Sequence, residues 1–102
     1  MAAGAQELKQ RAGVLRATLD GSAEATALML AKAATDAGYW ISVDGRIGEG
    51  DLAALLGMKP ESLANRRREG KGPPAFMLPG GGHKVTYRIP EVAAWIEASR
   101  DP

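Results

Sequence analysis

Three consecutive arginines, Arg66 to Arg68, are the densest group of functional side chains in this sequence. They lie in the segment LANRRREGKGPPAF, where Asn65 precedes them and glycines and prolines follow. Arginine can bond guanine bidentately or hold a phosphate, and asparagine can bond adenine bidentately. Alone, the run could equally be a solvated helix end, where cations are favoured. It therefore raises a polyanion-binding hypothesis that its surroundings must support.

Positive charge is concentrated around this run, although the 102-residue chain has a net charge of only +1. Residues 1–56 carry five Lys or Arg against seven Asp or Glu, a net −2. Residues 57–90 carry seven against two, a net +5, and residues 91–102 carry one against three, a net −2. A basic middle between acidic flanks is the layout expected when one face meets a polyanion.

The arginines belong to a pattern of two short helices separated by a glycine. The three leucines of DLAALLG stand at i, i+3 and i+4, which predicts one apolar helix face that Gly57 closes. Pro60 suits the first turn of a second helix, predicted over Pro60 to Glu69 and stopped by Gly70. A helix-turn-helix needs two short helices held by a tight turn, so that the second can enter the major groove of DNA.

Two further helices, or one bent helix, and a strand are predicted before this pair. Residues 5–19 place apolar side chains at helical spacing, and Ser22 suits the N-cap of a helix that ends at Gly38. YWISV, residues 39–43, has strand-forming side chains and is followed by the turn signal DG. The next segment, RIGEG, could add a second short strand.

A β-hairpin and a closing helix are predicted after the arginines. Phe76 and Leu78 alternate with Met77, and VTYRI alternates in the same way beyond the glycine-rich PGGG turn. PEVAAWIEAS then predicts a helix whose apolar stripe includes Val92 and Trp95. The order predicts an α+β, mainly helical fold: a winged helix-turn-helix domain over residues 39–102, with a helix after the wing and an N-terminal helical extension over residues 1–38.

About residues 46–100 resemble the small winged helix-turn-helix proteins related to phage excisionases and AlpA-type prophage regulators. These are distant relatives of the MerR DNA-binding domain and of the DNA-binding domain of the phage lambda terminase small subunit. The matching segments are DLAALLG, ESLAN, EGKGPPAF and VTYRIPEVAAWIEAS. The resemblance implies DNA binding in bacteria or their phages, as a transcription regulator or recombination accessory factor, often as a dimer or in cooperative arrays.

Relatives commonly carry an aromatic or large apolar residue after the LAN-like stretch, where this chain has Arg66. Helical spacing from Leu63 makes Arg66 and Arg67 both candidates for the inward face, so one is expected to lie along the core with its head outward. Base contacts are expected from the helix and phosphate contacts from its flanks and the wing. The full set of predicted DNA contacts is Lys59, Ser62, Asn65, Arg66, Arg67, Arg68, Lys71, His83, Lys84 and Arg88.

Composition argues against several other functions. The chain has no cysteine and one histidine, so neither a disulfide nor a metal site is expected. No Ser/His/Asp or paired-carboxylate arrangement stands out, and we expect no enzyme, no cofactor and no small-molecule substrate. There is no run of apolar residues long enough for a membrane span and no signal-peptide layout at the start. A cytoplasmic protein, nucleoid-associated when bound to DNA, is the expectation.

Two alternatives stay open at this stage. A protein-interaction module that keeps the helix-turn-helix fold would suit the acidic flanks and the Ala/Leu-rich N-terminal region. A phage DNA-packaging protein like a terminase small subunit would share the DNA-binding step and differ in its partner, a large ATPase subunit.

Overall fold

The computed structural model describes residues 22–77 and 85–99, which form four helices and a three-stranded antiparallel sheet. The predicted α+β, mainly helical architecture is confirmed for these residues. The predicted helix over residues 5–19, the PGGG turn, His83 and Lys84 lie outside them. No described helix is long and apolar enough to cross a membrane. The elements are α1 (Ala23–Asp36), β1 (Arg46–Gly48), α2 (Glu49–Leu55), α3 (Pro60–Arg68), β2 (Phe76–Met77), β3 (Val85–Arg88) and α4 (Ile89–Ala98).

The sheet has the order β1-β3-β2, with β3 in the centre. Ile47 of β1 pairs with Tyr87 of β3, and Phe76 of β2 pairs with Thr86. Because side chains alternate between the two faces of a strand, Ile47 and Tyr87 point to the same side, where both are fully buried. The antiparallel pairing of β2 with β3 agrees with the predicted hairpin.

The YWISV segment was expected to be a strand, and this expectation is wrong. It contributes one isolated bridge, from Ile41 to Ile47. The next residues turn immediately, because the Gly45 N–H donates to the Ser42 carbonyl and the Arg46 N–H donates to the Ser42 hydroxyl. The strand begins after this turn, in the RIG segment.

Helix α1 packs along α4 through small side chains. Ser22 caps it as predicted, since its hydroxyl accepts the Ala25 N–H at 3.2 Å. Ala25 and Ala34 are buried on α1, and Val92 is buried on α4. Ala34 belongs to the same core cluster as the buried residues of the sheet and of α2 and α3. The division of the chain at residue 38 stays a prediction.

A tight turn fixes α3 relative to α2. Gly57 ends α2 with φ +69°, a conformation that side chains disfavour, and its N–H donates to the Ala54 carbonyl. The following Met58 N–H donates to the Ala53 carbonyl at 2.8 Å. Leu52 and Leu63 are both fully buried in the shared core. The predicted helix–glycine–helix arrangement is therefore present.

Candidate nucleic-acid interface

Helix α3 has one buried side and one exposed polar side. Leu63 and Ala64 are buried, and Arg67, one turn further on, is partly buried. This spacing of i, i+1 and i+4 marks the inward stripe of a helix, so the intervening positions must face outward. The exposed positions of α3 after its first residue are Glu61, Ser62, Asn65, Arg66 and Arg68.

Asn65 and Arg68 interact on the exposed side. The Arg68 Nη1 group donates to Asn65 Oδ1 at 3.0 Å. The two residues are three positions apart, which places their side chains next to each other on a helix. Asparagine is suited to a bidentate contact with adenine, and arginine to a bidentate contact with guanine.

The cations at this surface are mostly free of acidic partners. Within the described residues, no carboxylate lies within salt-bridge distance of Lys59, Arg66 or Arg68. Lys71 has only a long contact to Glu69, at 3.8 Å between exposed groups, and such pairs contribute little. The α3 surface, which we define as Lys59, Ser62, Asn65, Arg66, Arg68 and Lys71, therefore presents positive charge to solvent.

Arg67 differs from the arginines on either side of it. Its Nε donates to Glu49 Oε2 at 2.8 Å and its Nη2 donates to Glu49 Oε1 at 3.3 Å. The side chains of Arg67 and Glu49 are 22% and 16% exposed. The Tyr87 hydroxyl donates to the same Glu49 Oε2. The expectation that one of Arg66 and Arg67 turns inward is confirmed, and the inward residue is Arg67. The expectation that its head points outward is wrong, because Glu49 holds the guanidinium group.

We call Glu49, Arg67 and Tyr87 the Glu49 brace. The electrostatics of this group favour the ion pair between Glu49 and Arg67. Burial raises the pKa of Glu49, but the hydrogen bonds from Arg67 and Tyr87 outweigh it and the net pKa is lowered. The bond to Glu49 raises the pKa of Arg67. Burial, followed by the bond to Glu49, raises the pKa of Tyr87. Glu49 therefore stays ionised and Tyr87 stays protonated across the neutral pH range.

The C-terminal end of α3 is held by backbone bonds. Gly70 has φ +70° and donates to the Arg67 carbonyl, and the Lys71 N–H donates to the Arg66 carbonyl at 2.8 Å. The Trp95 indole N–H of α4 then donates to the Lys71 carbonyl at 3.2 Å. The helix end and its exit loop are thus anchored to the body of the domain.

Arg88 lies in a second charged group, on the other face of the sheet from Tyr87. Asp44 accepts hydrogen bonds from Arg46 Nε, at 2.9 and 3.0 Å, and from Arg88 Nη2, at 3.3 Å. The guanidinium carbons of Arg46 and Arg88 lie 6.0 and 5.2 Å from the centre of the Phe76 ring. Arg46 also donates to the Thr86 hydroxyl. We call these five residues the Asp44 cluster.

Acidic neighbours balance the two arginines of this cluster. Arg88 also faces Glu91, at 3.8 Å. Hydrogen bonds from Ser42 and then from Arg46 hold the pKa of Asp44 well below its usual range, so Asp44 is ionised at neutral pH. Arg88 as a phosphate contact stays a prediction, but its positive charge is largely compensated here.

Sequence reasoning did not single out Glu49, Asp44, Arg46 or Phe76 as partners of the arginines. The available signal was the alternation in the strands, which places Arg46 opposite Arg88. For Glu49 no local signal exists, because its partners are 18 and 38 residues away.

His83 and Lys84, predicted for the tip of the hairpin, lie outside the described residues. Within the described part of the chain, no three His, Cys, Asp or Glu side chains are grouped so that they could hold a metal ion.

No family model matches this chain, and no curated protein or solved structure matches it either. The resemblance to excisionases and AlpA-type regulators, with everything it implies, therefore stays a prediction. The α3 surface is therefore the feature from which we infer a function.

Proposed function

We propose that this chain binds double-stranded DNA with the α3 surface, as a winged helix-turn-helix protein. In this proposal α2 and α3 form the helix-turn-helix, and β2 and β3 form the wing. The observation that carries it is the division of α3: its buried side is anchored, while its exposed side holds Asn65 with Arg66 and Arg68, which have no acidic partner among the described residues.

The dimensions of α3 suit the major groove. With its side chains an α-helix is about 10–12 Å across, which fits a groove about 12 Å wide, and the nine residues of α3 make it about 13 Å long. Ser62, Asn65, Arg66 and Arg68 are the proposed contacts to base edges. Lys59 precedes the helix and Lys71 follows it, so both are proposed to hold phosphates beside the groove.

The wing and the remaining arginines have lesser roles in the proposal. His83, Lys84 and Arg88 are proposed phosphate contacts, with Arg88 the weakest because Asp44 and Glu91 face it. Arg67 holds α3 in place. With four to five phosphates neutralised, log K should fall with log[salt] with a slope of about −4.

The biological setting comes from the sequence resemblance. It supports a small regulator of a prophage or mobile element, acting in transcription or as a recombination accessory factor, as a homodimer or a cooperative array on DNA. A DNA-packaging role would use the same contacts and would add an ATPase partner. Pull-down with and without DNA separates the two, since a packaging protein should retain its ATPase partner without DNA.

A second candidate function, protein interaction, is favoured by two exposed apolar side chains. Leu28 on α1 is 62% exposed, and Val43 in the turn before β1 is fully exposed. A module that binds protein through either of these side chains would keep its partner after removal of residues 78–84 and would not need Arg66 or Arg68. Loss of partner binding on replacing Leu28 by Ser, with DNA binding unchanged, would support it.

The test of DNA binding is selection of bound duplexes from a random pool. We expect one sequence to be enriched, and Asn65→Ala to relax the preference at one base position, because asparagine reads adenine. A palindromic site would indicate a dimer with two half-sites. Retention of no duplex above background would refute the proposal, and retention without enrichment would reduce it to non-specific binding.

A further inference from the structure

We infer that Glu49 and Tyr87 are positioning residues for DNA recognition: with Arg67 they fix the rotation of α3 about its own axis, so that Asn65 and Arg68 meet the base edges. This inference rests on the proposed DNA binding and deepens it. Neither Glu49 nor Tyr87 is proposed to touch DNA.

The Glu49 brace joins three separate elements. Glu49 is the first residue of α2, Arg67 stands one residue before the end of α3, and Tyr87 lies in the central strand β3. Arg67 uses two nitrogens on two oxygens of Glu49. A two-bond contact between a guanidinium and a carboxylate fixes the relative orientation of both planar groups. The Tyr87 hydroxyl donates to Glu49 Oε2, the oxygen that also accepts from Arg67 Nε, and so ties the carboxylate to β3.

The remaining contacts of α3 are less directional. Leu63 and Ala64 are buried apolar side chains, and apolar burial does not depend on orientation. Within the described residues, the brace is therefore the directional side-chain contact between α3 itself and other elements, and the Trp95 bond to the Lys71 carbonyl anchors the loop that follows.

The rotation of α3 about its axis sets the direction of its exposed side chains, because Arg67 stands between two exposed arginines in the sequence. Successive residues of an α-helix are separated by about 100°. Holding Arg67 inward therefore directs Arg66 and Arg68 to the two sides of the exposed face. Recognition geometry must be held within about 0.5 Å, so a small rotation of α3 would misplace Asn65 and Arg68 together.

The brace adds little net attraction for DNA, since Glu49 offsets the charge of Arg67. Removing the charge of Glu49 therefore has different expected effects under two possible roles of Arg67. If Arg67 were a phosphate contact that Glu49 restrains, removing the charge of Glu49 would release Arg67 and tighten binding. If the pair positions α3, the same change would leave attraction intact and weaken discrimination between sequences.

The experiment compares Glu49→Gln with the matched control Asp51→Asn. Asp51 lies in the same first turn of α2 and loses the same charge, and within the described residues it is not part of an ion pair. Affinities are measured for the selected duplex and for a scrambled duplex, below the unfolding midpoint of each variant. We expect Glu49→Gln to lower the ratio of specific to non-specific affinity by about tenfold, the cost of one poor base contact. Its non-specific affinity should equal that of Asp51→Asn.

The ratio is the decisive quantity, because a change in stability alone alters both affinities equally. Tyr87→Phe, which removes one hydroxyl, should lower the ratio in the same direction by a smaller factor, and it provides the test if Glu49→Gln does not fold. Undiminished discrimination in the folded variants, or tighter binding by Glu49→Gln than by Asp51→Asn, would overturn the positioning role alone. A wild-type chain that binds no duplex would instead overturn the proposed function, and the positioning role with it.

Discussion

Arginines occupy two surfaces of this molecule, and their acidic neighbours make the two surfaces opposite in character. On the α3 surface, Arg66 and Arg68 are exposed and, among the described residues, have no carboxylate partner. In the Asp44 cluster, Arg46 and Arg88 share Asp44 and lie against the ring of Phe76. Arginine thus presents charge to solvent on the α3 surface, whereas in the Asp44 cluster it is paired with a carboxylate and packed against an aromatic ring.

A segment of sequence that is rich in basic residues therefore does not by itself form a basic surface. Of the seven cations between residues 57 and 90, Arg67 and Arg88 face carboxylates that come from earlier or later in the chain. Long-range partners therefore decide which cations remain available to a polyanion. Substitutions on the two surfaces can test the difference between available and paired cations, beginning with the largest expected effect.

Replacing both exposed arginines of α3, Arg66→Ala with Arg68→Ala, should weaken DNA binding on the order of 100-fold, since each good arginine contact contributes about 1–3 kcal/mol. The free energy of unfolding should hardly change, because both side chains are exposed. Fluorescence anisotropy with the selected duplex measures the loss. Lys32→Glu on α1 changes the net charge by the same two units and serves as the control. An equal loss in that control would mean that net charge, and not the α3 surface, governs binding.

Arg67→Ala should lower the free energy of unfolding by about 1–3 kcal/mol, because it leaves the mostly buried Glu49 carboxylate without its main partner. Arg68→Ala, one position away, should stay within about 0.5 kcal/mol of wild type. Urea unfolding followed by circular dichroism gives both values. Equal stability of the two variants would contradict the assignment of Arg67 as the inward arginine.

Asp44→Asn should lower stability at neutral pH by a smaller amount, since the carboxylate that Arg46 and Arg88 share is exposed to solvent. The folded-state pKa of Asp44 is lowered, so its contribution is full above the ordinary value near 3.8 and is lost only as pH falls further, through the lowered folded-state pKa. Urea unfolding at neutral pH and at about pH 2 should therefore show the gap between the variant and wild type narrowing. Asp36→Asn, in the exposed pair with Lys32, should show no difference at either pH. If the difference in free energy of unfolding between Asp44→Asn and wild type did not change with pH, the charge of Asp44 would not be the cause of that difference.

Arg88→Ala should have the smallest effect on DNA binding, within about twofold, because a compensated cation releases few counterions when DNA binds. The measurement is the same anisotropy titration, with Arg68→Ala as the sensitive comparison. A loss as large as that of Arg68→Ala would make Arg88 a principal DNA contact and remove the contrast between the two surfaces.

The sequence predicted the elements that carry the α3 surface better than it predicted the partners of its side chains. Leucine spacing, Gly57, Pro60 and Gly70 are local signals, and they located α2, the turn and α3. Strand alternation located the β2–β3 pairing. Helical spacing from Leu63 narrowed the inward arginine to two positions, and only the packed structure selected Arg67.

What sequence could not supply depends on distant contacts. Glu49 and Asp51 look alike as acids in the first turn of a helix, yet only Glu49 lies beside Arg67 and Tyr87. YWISV has strand-forming side chains, but the hydrogen bonds of Ser42 turn the chain before a strand can form. In both cases the deciding interaction is a side-chain bond that residue propensity does not encode.

The salt dependence of affinity for the selected duplex, measured for wild type and Lys71→Ala, tests the central claim most directly. If the α3 surface binds DNA, log K for wild type should fall against log[salt] with a slope of about −4, and Lys71→Ala, which removes a proposed phosphate contact, should reduce its magnitude by about 1. A wild-type affinity that does not change with salt, or an identical slope in Lys71→Ala, would contradict the account.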